Sequence, residues 1–403
     1  MNIPKLRFPE FRDSREWEEK KLGQLGEFVS GLTYSPDDVR DNGLLVLRSS
    51  NVQNGEIRLE DNVYVNPDVK GANLSKPNDI LICVRNGSKA LIGKNALIPE
   101  GMPLSTHGAF MTVFRTPSAK FVFQLFQTST YQSQVDGDLG ATINSINGSN
   151  FIKYKFHIPI PAEQTKIAAC LSSLDELITA QTQKIAALKT HKKGLMQQLF
   201  PQEGETVPKL RFSEFRDDWE DNSIGNVCKT FSGGTPTTSQ KSFYGGDIPF
   251  IRSAEIDKNN TELFLTVDGL KNSSAKLVKK GNVLIALYGA NSGDVAISKI
   301  NGAINQAVLC LDSENSNAYI YQFLAFRKDW IVNKYIQGGQ GNLSGEIVKS
   351  IVIPFPSLPE QTKIATCLSS LDDLINAHVK KCEGLKNHKK GLMQGLFPVA
   401  GEK

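Results

Sequence analysis

The chain carries one half-protein written twice. Pro4-Lys5-Leu6-Arg7-Phe8, followed by Glu10-Phe11-Arg12-Asp13 and Trp17, returns as Pro208-Lys209-Leu210-Arg211-Phe212, then Glu214-Phe215-Arg216-Asp217 and Trp219. Residues 163–168, 170–175 and 191–197 return unchanged as 360–365, 367–372 and 388–394. A repeat of this kind confines the fold to two equivalent halves, each a leader, a variable block of about 140 residues and a near-identical tail. The length of 403 residues agrees, since one hydrophobic core rarely serves so long a chain.

The variable blocks, about 22–160 and 222–355, share a skeleton although few residues match. Phe28-Val29-Ser30-Gly31 parallels Phe231-Ser232-Gly233-Gly234-Thr235-Pro236, and Leu44-Leu45-Val46-Leu47-Arg48-Ser49 parallels Ile248-Pro249-Phe250-Ile251-Arg252-Ser253. Asn78-Asp79-Ile80-Leu81-Ile82 matches Gly281-Asn282-Val283-Leu284-Ile285, and Ile158-Pro159-Ile160-Pro161 matches Ile353-Pro354-Phe355-Pro356. Short β-branched runs bounded by Gly, Asn, Asp and Pro predict strands and turns. Helical pattern is confined to segments such as Phe121 to Gln132 and Tyr319 to Trp330, so each block is expected to be a mixed α+β domain around a β-rich core.

In the tails apolar positions recur at steps of four and three. The first seam is Ile167, Leu171, Leu174, Ile178, Gln181, Ile185, Leu188, Lys192, Leu195, Leu199. The second is Ile364, Leu368, Leu371, Ile375, His378, Cys382, Leu385, Lys389, Leu392, Leu396. This is a heptad stripe. Pro161 and Pro359 sit just before the expected helices, and Pro201 and Pro398 lie just past them. At about 1.5 Å per residue, the stretch from Ile167 to Leu199 makes a rod of roughly 50 Å. Either tail alone would expose its stripe, so the two are expected to pair as an antiparallel coiled coil, with Gln181, His378, Lys192 and Lys389 restricting register. The expected fold class is α+β: two β-rich mixed domains separated by two long antiparallel helices, as a pseudo-twofold tandem repeat. An ordinary core helix in each half is the plainer alternative.

Composition narrows the function only by exclusion. No apolar run approaches the roughly 20 residues of a membrane span, and the start shows no export signal, so a cytoplasmic location is expected. Six cysteines without a C-x-x-C pair, and few histidines, predict reduced structural thiols and no metal site. A net charge of +4 permits nucleic-acid binding without requiring it.

The familiar catalytic patterns fail. Gly87 to Lys94 has the wrong glycine spacing for a phosphate loop and Asn95 where Ser or Thr belongs. Pro67-Asp68-Val69-Lys70 contains a fragment of a nuclease-like acidic motif, yet it lies in a turn-rich stretch with no counterpart in the second copy. The Asn-Pro-Pro-aromatic signature of amino-methyltransferases is missing from both halves. No catalytic residue is expected.

The blocks do place polar residues in loops after strand-like runs. In the first these are Thr33, Tyr34, Arg48, Ser50, Asn51, Arg85, Asn86 and His107; in the second, Thr235, Thr237, Arg252, Ser253, Glu255, Tyr288, Asn291, Asn305 and Gln306. Arg pairs with guanine edges, Asn and Gln with adenine, and Glu with the cytosine amino group, so these are residue types able to read bases. Lys89, Lys94, Lys241 and Lys258 lie near enough in sequence to meet phosphates.

Two divergent blocks, each followed by a near-identical P-x-E-Q-x-x-I-A…L-x-x-L-D-x-x-I helix, resemble the specificity subunit of type I restriction–modification systems. Pro359 to Ala365 fits that pattern, and the first copy reads Pro161-Ala162-Glu163-Gln164-Thr165-Lys166-Ile167-Ala168. Ser232 to Pro236, Gly245 to Ile251 and Gly302 to Gln306 also look like that family's recognition domains, whereas Gly31-Leu32-Thr33-Tyr34 departs from the Gly-Gly-Thr-Pro of the second block. The resemblance implies target recognition domains at 1–160 and 202–357, each reading one half of a split site in double-stranded DNA. It implies spacer helices at 161–201 and 358–403 that dock two modification subunits. S-adenosylmethionine, ATP and magnesium would then belong to the modification and restriction subunits, and this chain would hold no cofactor. A fused nuclease–methyltransferase and a two-headed protein- or RNA-binding adaptor are the alternatives.

Overall fold

The computed structural model describes residues 3–139, 144–202, 204–335 and 342–398. The chain forms two compact units, each discontinuous in sequence: one takes residues up to 182 together with those from 380 onward, and the other takes 183–379.

In the first unit an antiparallel sheet has the strand order Glu27–Ser30, Met111–Arg115, Ile80–Cys83, Asn95–Leu97. A second, mixed sheet runs Ser105–His107, Leu44–Leu47, Val63–Val65, Val39–Arg40, with the first two strands parallel. Side chains on a strand alternate between faces. Leu45 and Leu47 therefore join Leu81, Cys83, Met111 and Val113 in one core, while Leu44 and Val46 face Leu32 and Val65 in another. Ile80–Cys83 is buried throughout, because Ile80 and Ile82 face a further core with Trp17, Phe121 and Phe151. A one-residue slip would exchange these faces, so the cores fix the register. Glu18–Lys21 pairs antiparallel with Lys155–Ile158, bringing the block's ends together.

The second unit repeats the plan with different residues. Its antiparallel sheet runs Lys229–Ser232, Val308–Asp312, Val283–Ala286, Val295–Ile297, and its mixed sheet runs Phe264–Leu265, Tyr244–Ile251, Gly302–Ile304, Lys276–Val278. Tyr244–Ile251 and Gly302–Ile304 are the parallel pair. Alternation recurs: Leu284 and Ala286 face the core between the sheets, Val283 and Ile285 the core beside the helices. The expected α+β class is what folds. One predicted helix is in fact two, Ala119–Leu125 and Ser129–Asp138, because the Thr128 hydroxyl donates to Leu125 O at 2.7 Å and caps the second by accepting from Tyr131 N.

The long helices are Pro161–Leu199 and Leu358–Leu396. In the first unit Ile167 and Leu171 share a core with Leu392 and Leu396, and Asp175 meets Lys389 while Thr182 meets Cys382. Early residues of one helix thus face late residues of the other, an antiparallel pairing. In the second unit Leu195 and Leu199 pack with Ile364 and Leu368, and Lys192 meets Asp372. Every seam residue of the two stripes is buried or half-buried. The six cysteines are unpaired, and burial pushes the Cys228 and Cys310 thiols up to about 12, as expected of structural thiols.

The repeated leader docks on the start of each helix. Arg7 holds Glu163 through two bonds, Nε to Oε1 at 2.9 Å and Nη2 to Oε2 at 2.8 Å; Arg211 holds Glu360 through two bonds of 2.8 Å. Both carboxylates are almost wholly buried in the first helical turn, where the helix dipole also favours negative charge.

Candidate nucleic-acid interface

Each block gathers its polar loops at the carboxyl ends of its parallel strand pair. In the first, Arg48 follows Leu44–Leu47 and Gly108 follows Ser105–His107. The loop from Gly31 to Tyr34 is stitched beside them, since Leu32 N donates to His107 O at 2.7 Å and Ala109 N to Leu32 O at 2.8 Å. Gly31 is required by closeness: a Cβ there would lie 2.1 Å from Gly108 O. Gly233 holds the same place in the second block, where a Cβ would lie 1.8 Å from Ile304 O, and its N donates to Asn305 O at 3.2 Å. The Ser-Gly pair common to both blocks thus has a steric cause.

The resulting cleft in the first block is about 490 Å³, lined by Thr33, Tyr34, Arg48, Ser50, Asp61 and Phe110 among others. Asn86 joins by donating from Nδ2 to Ser49 Oγ at 3.0 Å, and the Arg85 guanidinium lies 5.7 Å from the centre of the exposed Phe110 ring. Six of the eight sequence-predicted residues therefore converge. The other two turn inward. Asn51 is fully buried; its Oδ1 accepts from Arg48 N and its Nδ2 donates to Arg58 O, each at 2.9 Å. His107 is 1% exposed with Nε2 donating to Val29 O, and burial lowers its pKa.

In the second block Thr235 donates to Gln306 Oε1 at 2.7 Å, and Asn305 Oδ1 accepts from Ala307 N. Leu287 N donates to Ala307 O, which sets the exposed Tyr288 beside that loop. Ser253 is half-buried in the turn after Arg252. Glu255 corresponds to Asn51 and is likewise buried, accepting from Arg252 N at 3.1 Å and Glu262 N at 2.9 Å. Burial opposes its ionisation, but the bonds from Arg252 and the Glu262 amide outweigh it and hold the carboxyl below its usual range. Thr237 is exposed and Asn291 half-buried, each in its own turn, and no hydrogen bond among the described residues ties either to Arg252. Of the phosphate candidates, Lys89 and Lys241 are exposed, Lys94 is half-buried and Lys258 sits beside Asp257.

Three residues of the clusters escaped sequence reasoning: Asp61, Glu262 and Phe110. Asp61 Oδ2 meets Arg48 Nη2 at 2.8 Å, and Glu262 Oε2 meets Arg252 Nη2 at 2.6 Å. In sequence they are ordinary acids and an ordinary aromatic. The available signal was position, since each acid lies two residues before the returning strand, Val63–Val65 or Phe264–Leu265. Chemically, the clusters offer guanidinium, amide, hydroxyl and aromatic groups on surface loops, a set suited to base edges and phosphates. No group of His, Cys, Asp and Glu able to hold a metal ion occurs among the described residues.

Residues 14–190 and 216–387 match the family model described as type I restriction modification DNA specificity domain. The chain is 28% identical over 408 residues to a Methanocaldococcus jannaschii protein assigned as the MjaX type I restriction enzyme specificity subunit, covering 95% of this chain and 93% of the relative. It is 23% identical over 412 residues to the EcoKI specificity subunit of Escherichia coli K12, covering 95% and 88%. Among solved structures, the type I restriction–modification S subunit from M. genitalium superposes with a TM-score of 0.68 at 16% identity, over 98% of this chain and 99% of that one.

Proposed function

We propose, for a chain that belongs to the type I restriction–modification DNA specificity family, that its two loop clusters read the two halves of one split DNA site. The chain is a specificity subunit, with two tandem recognition domains. One observation carries the reading of the loops: the same fold position holds chemically unlike clusters in the two blocks, while the helices that follow are nearly identical. Divergent readers serve different half-sites, and matching helices serve matching partners.

The reading assigns residues 1–160 and 202–357 to recognition and 161–201 and 358–403 to spacing and docking. Thr33, Tyr34, Arg48, Ser50, Arg85 and Asn86 face one half-site; Thr235, Arg252, Ser253, Tyr288, Asn305 and Gln306 face the other. Arg48 and Arg252 occupy equivalent strand ends and suit guanine, through the planar fork that matches its O6 and N7. Asn51, His107 and Glu255 hold the loops in shape from beneath. The chain itself is non-catalytic on this reading. Two modification subunits supply methyl transfer from S-adenosylmethionine, and restriction subunits supply cleavage and ATP- and magnesium-dependent translocation.

Methylation mapping of genomic DNA, with this gene present and deleted, tests the proposal. Modified adenines at one asymmetric, two-part motif are expected only when the gene is present. An unchanged methylation pattern on deletion contradicts the proposal, as does methylation or cleavage of DNA by the purified chain alone.

A further inference from the structure

Two arginines at equivalent strand ends each carry an exposed carboxylate from an equivalent loop. Arg48 follows Leu44–Leu47, its amide is capped by the side chain three residues on, Asn51, and Asp61 grips its Nη2 at 2.8 Å. Arg252 follows Tyr244–Ile251, its amide is capped by Glu255, again three residues on, and Glu262 grips its Nη2 at 2.6 Å. Asp61 and Glu262 both stand two residues before the strand that returns beside the arginine's own. The intervening loops differ in length and sequence, and the acids differ in type, yet the geometry recurs.

Stability does not account for the pairs. The acids are 66% and 80% exposed at the side chain, and the arginines 34% and 36%. Exposed pairs of this kind stabilise a fold little. Among the described residues, the Arg48 guanidinium is bonded through Nη2 to Asp61, its buried Nε having no partner, and the Arg252 guanidinium through Nε and Nη2 to Glu255 and Glu262; no bond runs through Nη1 of either, so each arginine is held with that nitrogen left over. We infer that Asp61 and Glu262 are specificity-determining residues, which hold Arg48 and Arg252 in one pose over the base edge and keep them from turning to backbone phosphates. The carboxylate restrains by attraction to the arginine and repels the phosphate that would compete for it. The inference rests on the proposed reading of the clusters as DNA-facing.

The test uses the full chain assembled with its modification subunits and a randomised DNA library, scored by the sequences methylated. Asp61→Asn and Glu262→Gln are each compared with Arg48→Ala and Arg252→Ala. The expected result for each carboxylate variant is a loss of discrimination of at least about fivefold at one base position, in the half-site of its own block, with the other half-site unchanged and the melting temperature kept. Glu262→Asp should restore part of the preference that Glu262→Gln loses. If the arginine variants relax one position and the carboxylate variants relax none, or weaken all sequences alike, the inference is overturned while the reading of the clusters stands. If the arginine variants also leave both half-sites intact, that reading falls with it.

Discussion

Arg7 and Arg211 explain why an otherwise plain leader is repeated. Each places a guanidinium against an almost wholly buried carboxylate, Glu163 or Glu360, at the first turn of a long helix. Removing one partner leaves the other buried and uncompensated, which costs about 3–5 kcal/mol. Arg7→Ala should therefore destabilise the first unit by about that amount, read by denaturant unfolding. His107 makes a pH-dependent difference between the units. Burial lowers its pKa below 6.5, so the unfolded chain takes up its proton first as pH falls. The stability that neutral His107 contributes is present above pH 6.5 and is lost as pH drops below it. The second unit has Ile304 at the matching strand position. His107→Gln should flatten the fall in first-unit stability as pH drops below 6.5, and an unchanged slope would contradict this. At this scale the sequence is legible by residue type only. Most of the polar residues expected in loops lie in them, His107 closing the strand Ser105–His107 instead, but whether a side chain points out, as at Arg48, or caps from below, as at Asn51, depends on backbone geometry that composition does not encode.

The long helices are tied to each other and to the blocks by one device used twice. In the first unit Lys389 contacts both oxygens of Asp175 at 2.6 and 2.7 Å, and Gln124 donates to Asp175 at 2.7 Å. In the second, Lys192 contacts both oxygens of Asp372 at 2.6 Å, and Gln322 donates to Asp372 at 2.9 Å. The lysine comes from one helix, the aspartate from the other and the glutamine from the block. Both lysine side chains are close to nine-tenths buried. A double-mutant cycle with Asp175→Asn and Lys389→Met should show coupling of about 0.5–3 kcal/mol. The exposed Lys155–Glu19 pair should show a much weaker coupling in the same measurement, since solvent screens it. The helices are the most legible elements, because a heptad stripe over many turns has few readings. Lys192 and Lys389 stand out in sequence as polar seam positions; their aspartate partners do not, since a seam position does not announce what lies opposite. The break at Thr128 is hidden because a capping threonine inside a helical stretch leaves the apolar period intact.

At the scale of the whole molecule, duplication separates what is kept from what varies. The two blocks share the strand order of the antiparallel sheet and the parallel pair of the mixed sheet, around different cores and different loop clusters, each block set on helix segments whose sequences barely differ. Strand alternation and the paired skeleton make this plan legible in the sequence itself, and the family match bears out the identity of the tandem domains. The discontinuous units are less legible, because each takes in part of both long helices. On the proposed reading, recognition is modular, one block to one half-site. The most direct measurement is methylation mapping of a chimaera in which residues 222–355 are replaced by the corresponding block of another family member. Modular recognition predicts that one half of the methylated motif changes to that of the donor while the other half is retained. A motif changed in both halves, or in neither, would contradict it.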